Sequence, residues 1–374
     1  MPIQPLVPMT TAEPGRAPRL PKFAPSSSFS IALEAAVSNY FRERGASVKA
    51  NAAMVRKTLI ILALTYGSYA VILAPGIPML GRWLACVTMA FGFGGMGMAI
   101  GHDALHGAYS HRPWVNKVLG WSFDAIGANS YIWRYSHNIA HHTYTNIDGL
   151  DLDIDYDPLM RFAPSTPVRP AYRLQSIYAF GLYALAGLHW VFNKDFSYFQ
   201  RKQMGPYTNL RHPFSAWAGF IGGRIVVFAY VIVIPALLLR PAWWQLAIGF
   251  LTVYVGTGLI MALVFQLAHS VEGPRTVALP SEGRLEDSFF AHQLATTADF
   301  GCDNRLLSWY VGGLNFQIEH HLFPQICSVH YPALRPIVKR IAAEHGLPHH
   351  EFPTMRAALR SHVAWLNRMG APVS

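Results

Sequence analysis

Charged side chains are scarce in this sequence. Only 13% of the 374 residues are Asp, Glu, Lys or Arg, whereas 52% are hydrophobic. A composition this apolar excludes an ordinary soluble enzyme and favours a membrane protein. Cysteine is also rare, and the three cysteines Cys86, Cys302 and Cys327 show neither metal-binding nor redox spacing. Their odd number excludes a scaffold built on disulfides.

The charge that is present is unbalanced. Thirty Lys and Arg against twenty Asp and Glu give a formal net charge of +10. In an apolar chain this excess is typical of cytoplasmic loops that obey the positive-inside rule, and we expect no nucleic acid partner. Histidine stands out instead, with 17 copies that are clustered along the chain.

Four long stretches almost without charge are predicted to cross the membrane. They cover about residues 58–75, 83–101, 220–239 and 242–265. Each is long enough for a hydrocarbon core of about 30 Å at roughly 1.5 Å per residue. Short connections turn them into two helical hairpins. Arg224, the only charge in the third stretch, is expected to snorkel towards the interface.

Both termini and the central segment between the hairpins are assigned to the cytoplasm, because basic residues gather before the first hairpin and on both sides of the second. Residues 1–30, rich in proline and serine, are expected to be a disordered tail. Residues 31–50 are predicted to form an amphipathic helix, either near the membrane surface or packed as in a soluble protein. A fifth apolar run, about residues 174–193, is expected to lie in the interface, since one crossing there would separate the histidine clusters.

Three histidine groups follow the two hairpins. His102 and His106 come at the end of the second span and are four residues apart. His137 and His141 repeat that spacing, and His142 adds an adjacent imidazole for a second metal. On an α-helix a spacing of four puts both rings on one face, where they can bind one metal centre.

The third group follows the second hairpin. Gln317, His320 and His321 again share a helical face with one neighbour, and His269 ends the last span on the same side. Together these groups supply eight imidazoles, more than one tetrahedral metal needs, so we expect two metal ions. The spacing alone does not choose among iron, zinc and copper.

These motifs resemble those of the integral-membrane fatty acid desaturases and their hydroxylase relatives. The third group reads Phe316-Gln317-Ile318-Glu319-His320-His321, similar to the glutamine-bearing box of front-end desaturases and their bacterial relatives. The similarity runs from about residue 35 to 370, within a predicted desaturase domain at 31–374. It implies an all-α membrane fold with four spans and a cytoplasmic helical cap that carries a di-metal site.

The resemblance also implies the site and its cofactors. The expected ligands of two iron ions are His102, His106, His137, His141, His142, His269, Gln317, His320 and His321. Asp103, His292 and Glu319 are candidates to orient these ligands. O2 would be the co-substrate and a fatty acyl-CoA or acyl lipid the substrate. No His-Pro-Gly-Gly haem motif occurs, so we expect a separate electron donor, either a ferredoxin or a small cytochrome with its reductase.

The expected function is an oxygen-dependent acyl desaturase in a bacterial cytoplasmic membrane, with its site facing the cytoplasm. A membrane hydroxylase with a similar di-iron site is the enzyme alternative. A histidine-rich metal transporter is the alternative of another class, although its ligands would be expected near mid-bilayer. The acidic run Asp148, Asp151, Asp153, Asp155 and Asp157 is interpreted as a loop that caps helices or pairs with Arg134, Arg161 and Arg169.

Overall fold

The computed structural model describes residues 20–280 and 283–371, and 65% of it is helical. The all-α membrane fold predicted from the sequence is confirmed. Two parallel two-stranded sheets add a small irregular component: β1 pairs with β2, and β3 with β4. The elements in chain order are β1 (Lys22–Ala24), α1 (Ser28–Glu43), α2 (Ala52–Leu73), α3 (Met79–Leu105), α4 (Pro113–Ala125), α5 (Ser130–Trp133), α6 (Gln175–His189), α7 (Asp195–Gln200), α8 (Phe214–Leu239), α9 (Trp243–His269), β2 (Arg284–Ser288), α10 (Phe289–Thr296), β3 (Ala298–Phe300), α11 (Arg305–Tyr310), α12 (Gln317–Leu322), α13 (Tyr331–Glu344), β4 (His350–Phe352) and α14 (Met355–Gly370).

Four segments have π-helical backbone. They are Met96–Gly101 within α3, Arg134–His141 directly after α5, Trp190–Lys194 between α6 and α7, and Ala229–Val233 within α8. Such wide turns are rare and are frequent at functional sites. Met96–Gly101 directly precedes His102, and Arg134–His141 contains His137 and His141, so only the second of these histidine groups lies within π-helical backbone.

The four helices α2, α3, α8 and α9 are long and apolar enough to cross a membrane, judged by length and composition. They confirm the four predicted spans, with longer bounds. α2 begins earlier because the Asn51 side chain accepts hydrogen bonds from the backbone N–H groups of Ala53 and Met54. α3 continues beyond residue 101 because its π-helical segment joins the next helical turn without a break.

The two hairpins place their turns at one end of the bundle. Arg82 in the first turn of α3 and Arg240 in the connection between α8 and α9 line one cavity of about 570 Å³ there. α3 packs against both α2 and α9, which makes it the central helix. His102 and His269 therefore lie together at the opposite end, away from the turns.

The fifth apolar run forms α6, which packs along α9. Gly187 allows this close approach, since a Cβ at that position would lie 2.1 Å from the carbonyl oxygen of Tyr254. α6 is not among the four helices that satisfy the criteria for a span. Its predicted place in the membrane interface stays a prediction.

The N-terminal part of the described chain is ordered, which corrects the predicted boundary of the disordered tail. Lys22–Ala24 is a strand and α1 begins at Ser28, whereas residues 1–19 lie outside the described residues. The apolar face of α1, including Leu33 and Val37, is buried in one cluster with Leu334 of α13. This face packs on protein, as in the soluble alternative for residues 31–50.

Arg224 does not snorkel, so that prediction is wrong. Its side chain is buried, and Nη2 donates to Oδ2 of Asp195 at 2.6 Å and to the carbonyl oxygen of Trp190 at 3.0 Å. The π-helical segment before α7 brings this acceptor pair against the middle of α8. The buried Asp195 carboxylate, and not water at the membrane interface, stabilises the guanidinium.

Candidate metal centre

The structure brings together the eight predicted histidines at one end of the bundle. His102 and His106 end α3, His269 ends α9, and His320 and His321 lie on α12. His137, His141 and His142 come from the segment after α5. Seven of the rings belong to buried residues, and His106 is half-buried. Neighbouring ring centroids lie 4.4 Å apart for His102 and His320, and 4.4 Å apart for His142 and His321.

The imidazoles form two groups joined by a third. The first group is His102, His106, His137 and His320, and the second is His141, His269 and His321. His142 lies between them, grouped with His320 and His321. Within each group the nitrogen atoms lie within 4.8 Å of one another. The structure thus has two clusters of nitrogen donors with His142 between them, which matches the two metal ions expected from the sequence.

The grouping within the second histidine motif is less simple than the prediction. The rings of His137 and His141 share a face, with stacked centroids 5.0 Å apart and Asp153 beside both, but among the all-histidine groups His137 belongs to the first and His141 to the second. The reason is the π-helical turn, in which residues five apart align. The backbone N–H of His142 donates to the carbonyl oxygen of His137, and their Nε2 atoms are 3.2 Å apart. His137 therefore faces the first group, while His141 turns towards the second.

Five of these imidazoles have a polar group beside Nδ1. His141 Nδ1 lies 3.0 Å from Oδ2 of Asp151, and His137 Nδ1 lies 3.3 Å from Oδ2 of Asp153. The other three neighbours are the Thr296 carbonyl oxygen at 3.2 Å from His269, the Tyr331 hydroxyl at 3.2 Å from His320, and Oε1 of Gln293 at 3.0 Å from His321. An acceptor beside Nδ1 fixes the ring and leaves Nε2 to bind a metal.

Within the eight-histidine cluster, four Nε2 atoms are buried without a hydrogen-bond partner among the described residues. They belong to His102, His106, His320 and His321. A buried polar atom without a partner costs about 1–3 kcal/mol, so a group of them needs an explanation. Metal ions are electron-pair acceptors that satisfy several imidazole nitrogens at once. The donor set therefore fits two nitrogen-bound metal ions.

Protonation is also compatible with metal binding. Burial, followed by the neighbouring imidazoles, holds the pKa values of His137, His142, His320 and His321 well below the ordinary range. His141 differs: burial acts to lower its pKa, but the Asp151 carboxylate outweighs burial and raises it. Neutral imidazole is the form that binds metal. Most of the cluster is in that form before any ion enters.

The three predicted orienting residues have different contacts from those expected. Oδ2 of Asp103 accepts hydrogen bonds from the backbone N–H and the hydroxyl of Ser328, at 3.0 and 2.8 Å. It ties α3 to the segment before α13 and bonds no imidazole. Nε2 of His292 donates to the Thr145 carbonyl oxygen at 2.8 Å, and His292 belongs to neither metal group.

Glu319 and Gln317 lie on α12 with the third histidine group. Glu319 is fully buried, and Oε1 lies 4.0 Å from Nε2 of His349. Gln317 is buried at the first position of the helix. Metal binding by Gln317 stays a prediction.

Sequence reasoning missed the side chains that hold the rings. Asp151 and Asp153 belong to the acidic run interpreted as a capping loop, and only Asp157 forms one of the predicted arginine pairs, with Arg169 at 2.8 Å. Gln293 accepts from Thr145 Oγ1 and donates to the His142 carbonyl oxygen, at 2.9 and 3.0 Å. Its place directly after His292 was the available signal, but the sequence does not show which ring it reaches.

Comparison with known proteins identifies relatives along nearly the whole chain. The fatty acid desaturase family model matches residues 77–353. The sn-1 linoleoyl-lipid 6-desaturases of Synechocystis sp. and Arthrospira platensis are each 35% identical to this chain; the aligned regions cover 93% of it and 97% and 94% of those proteins. The acyl-lipid (8-3)-desaturase of Physcomitrium patens is 33% identical, over 93% of this chain and 72% of its own. With a family match over most of its length and the histidine groups drawn together at one end of the bundle, the chain belongs to the fatty acid desaturase family.

Proposed function

We propose that this membrane desaturase introduces a double bond into the acyl chain of a membrane lipid, with O2 as oxidant and a pair of iron ions at the histidine cluster. The observation that supports this proposal is the pair of imidazole groups, within each of which the donor nitrogen atoms lie within 4.8 Å of one another. The expected ligands are His102, His106, His137, His141, His142, His269, Gln317, His320 and His321.

The iron pair would supply the activation of O2, because no side chain oxidises an unactivated methylene group. The overall reaction balances as follows. Two adjacent methylene carbons each lose one hydrogen atom and become joined by a double bond. Together with two external electrons and two protons, these hydrogen atoms reduce O2 to two water molecules.

The protein's own side chains have three tasks in this proposal. The polar neighbours of Nδ1, such as Asp151 and Gln293, hold each ring with Nε2 directed at the metal position. The burial of the cluster keeps bulk water from the reacting methylene groups. Gln317 is the weakest proposed donor, since an amide oxygen binds iron less strongly than an imidazole.

A basic cavity beside the membrane surface supports a lipid substrate. Arg56, Lys57 and Arg305 line a cavity of about 680 Å³ between the start of α2 and α11. Leu306 and Trp309 of α11 are exposed apolar side chains beside it, suited to contact with lipid. We infer that a phosphate-bearing head group binds at these cations. The names of the relatives specify a lipid-linked acyl chain and no head group.

The proposed location is a bacterial cytoplasmic membrane with the histidine cluster on the cytoplasmic side. Basic residues near the cluster end of the bundle, such as Lys49 and Arg56, favour that orientation. A separate ferredoxin or small cytochrome, with its reductase, would deliver the electrons. The positive surface suits an acidic carrier.

The test is gas chromatography with mass spectrometry of total fatty acids from cells that accumulate equal amounts of wild type, His320→Ala and His111→Ala. His320 belongs to two of the imidazole groups, whereas exposed His111 belongs to none. We expect a new unsaturated species with wild type and His111→Ala, and at least a 100-fold loss with His320→Ala. A hydroxylated product would contradict desaturation. Equal product from His320→Ala would contradict the proposed site.

A further inference from the structure

A second group of ionisable side chains is buried next to α12. Asp299 lies on β3, Glu319 on α12, and His349 directly before β4. The Asp299 and Glu319 side chains are 0% exposed and that of His349 is 6% exposed. We call these three residues the carboxylate–imidazole cluster. It contains no residue of the two imidazole groups.

The cluster is short of hydrogen bonds. Both carboxylate oxygens of Glu319, both ring nitrogens of His349 and Oδ2 of Asp299 are buried without a partner among the described residues. Only Oδ1 of Asp299 is bonded, to the backbone N–H of Ile318 at 2.9 Å. Buried polar atoms without partners are rare because desolvation costs free energy that nothing returns. Three of these atoms, Oδ2 of Asp299, Oε1 of Glu319 and Nε2 of His349, face one another and indicate a missing electron-pair acceptor.

The distances suit a shared cation better than direct hydrogen bonds. Nε2 of His349 lies 3.9 Å from Oδ2 of Asp299 and 4.0 Å from Oε1 of Glu319. These separations exceed the range of hydrogen bonds. They are shorter than about 4.2 Å, which is twice a zinc–nitrogen or zinc–oxygen bond of about 2.1 Å. The donor atoms of the three residues lie within 4.8 Å of one another, so they surround one position at which a cation can bind.

We propose that Asp299, Glu319 and His349 bind a third divalent cation, separate from the proposed iron pair. One imidazole and two carboxylates form a donor set suited to zinc, manganese or iron. The opposite nitrogen of the same ring supports this assignment. Nδ1 of His349 faces Oε2 of Glu351 at 3.9 Å, and Glu351 is itself held by Lys339 at 3.0 Å and by Arg335. This distance is too long for a hydrogen bond, but the negative charge of Glu351 favours a cation bound at the opposite nitrogen of the ring.

The cation would join the C-terminal segment to the helix of the third histidine group. β3 and β4 pair through the backbone, with Asp299 opposite Glu351. Glu319 adds α12 to that connection and directly precedes His320. The third ion therefore has a structural task, holding the position of α12 relative to the β3–β4 pair.

The experiment counts metal in purified full-length protein. Wild type, Asp299→Asn, His349→Gln and the control His350→Gln are equilibrated with Zn²⁺ in detergent, desalted and measured by inductively coupled plasma mass spectrometry, with all divalent metals summed. His350 neighbours His349 in sequence but is outside the cluster. We expect one ion per chain fewer in Asp299→Asn and His349→Gln than in wild type, and no loss in His350→Gln.

An equal metal count in wild type and both cluster variants would overturn the proposal. Because a variant can lose metal by unfolding, His349→Asp serves as a second variant: it restores a ligand, and we expect it to regain the ion that His349→Gln lacks. The difference between wild type and variants does not depend on how fully the imidazole groups are occupied. If wild type binds the third ion but cells that express it make no new unsaturated fatty acid, that result would contradict the proposed function and leave the third-ion proposal standing.

Discussion

α3 and α8 are apolar helices of almost equal length, yet they are packed in opposite ways. In the most apolar stretch of α3 78% of the residues are buried, against 17% in α8. α8 is the more apolar of the two, so mean hydropathy does not predict which helix is more deeply buried in the protein. Apolar residues predict that a helix can cross the membrane. They do not show whether a face of it contacts lipid or protein, because both are apolar.

Small residues account for much of the difference. α3 carries Gly92, Gly94, Gly95, Gly97 and Gly101 on its way to the first histidine group. At Gly97 an added Cβ would lie 2.6 Å from the Met261 side chain of α9, so the two helices approach closely only because no side chain intervenes. The packed helix bears the site, because rings held to a fixed geometry need a rigid support.

The largest expected effect comes from breaking the one buried ion pair of α8. Arg224→Leu removes the guanidinium 2.6 Å from Asp195 and leaves that carboxylate buried without its partner. We expect the free energy of unfolding to fall by about 3–5 kcal/mol. Chemical unfolding of purified protein in detergent, followed by tryptophan fluorescence, measures the change.

Two variants test the cause. Arg211→Leu removes an exposed arginine and should change the unfolding free energy by less than about 0.5 kcal/mol. The double variant Arg224→Leu with Asp195→Leu should recover most of the loss, because no buried charge remains. If Arg224→Leu were as stable as Arg211→Leu, α8 would be held by lipid contacts alone.

The contrast also shows what sequence reasoning can reach. The four spans follow from runs without charge, a property of each segment by itself. The eight histidines follow from spacing and from their position after the hairpins. Arg224 was misjudged because its partner, Asp195, lies 29 residues away and in another helix. Local sequence shows that a charge is in a span, but it does not show which buried group meets it.

The histidine motif after α5 is the second instructive case. A spacing of four predicts that His137 and His141 share a face of an α-helix, and their rings do stack, but the π-helical backbone also brings His137 against His142. Nothing in Arg134–His141 marks that turn, which depends on tertiary packing. The residues of the cluster could be predicted, whereas their grouping and the roles of Asp151 and Gln293 required the fold.

A pair of glycine substitutions sharpens the comparison of the two helices. At Gly101 of α3 an added Cβ would lie 2.4 Å from Cδ2 of Phe123, whereas at Gly222 of α8 it would meet no atom within 4 Å. We expect Gly101→Ala to lower the free energy of unfolding by about 1–3 kcal/mol. Gly222→Ala should leave it unchanged or raise it by up to about 1 kcal/mol, since Ala favours helix.

The same pair has a functional readout. Gly101 precedes His102, so the displacement should also reduce the unsaturated product, measured by gas chromatography at equal protein levels. Gly222→Ala should yield as much product as wild type. Equal stability of both variants would mean that α3 has room to move, contrary to the close packing described for it.

The smallest expected effect is a pH dependence of stability at the buried pair of Arg224 on α8 and Asp195 on α7. Burial raises the pKa of Asp195 to about 6 even with Arg224 beside it, and removing that cation raises it further. Because the folded-state pKa lies above the unfolded value, the folded state binds the proton more strongly, and acid favours folding at this group. The gap in unfolding free energy between wild type and Arg224→Leu should therefore narrow by about 1–2 kcal/mol from about pH 8 to about pH 6. The double variant lacks the carboxyl, so its difference in unfolding free energy from wild type should show no such narrowing. If the difference between Arg224→Leu and wild type is constant with pH, the lost stability comes from the packing of the arginine stem and not from the unpaired Asp195.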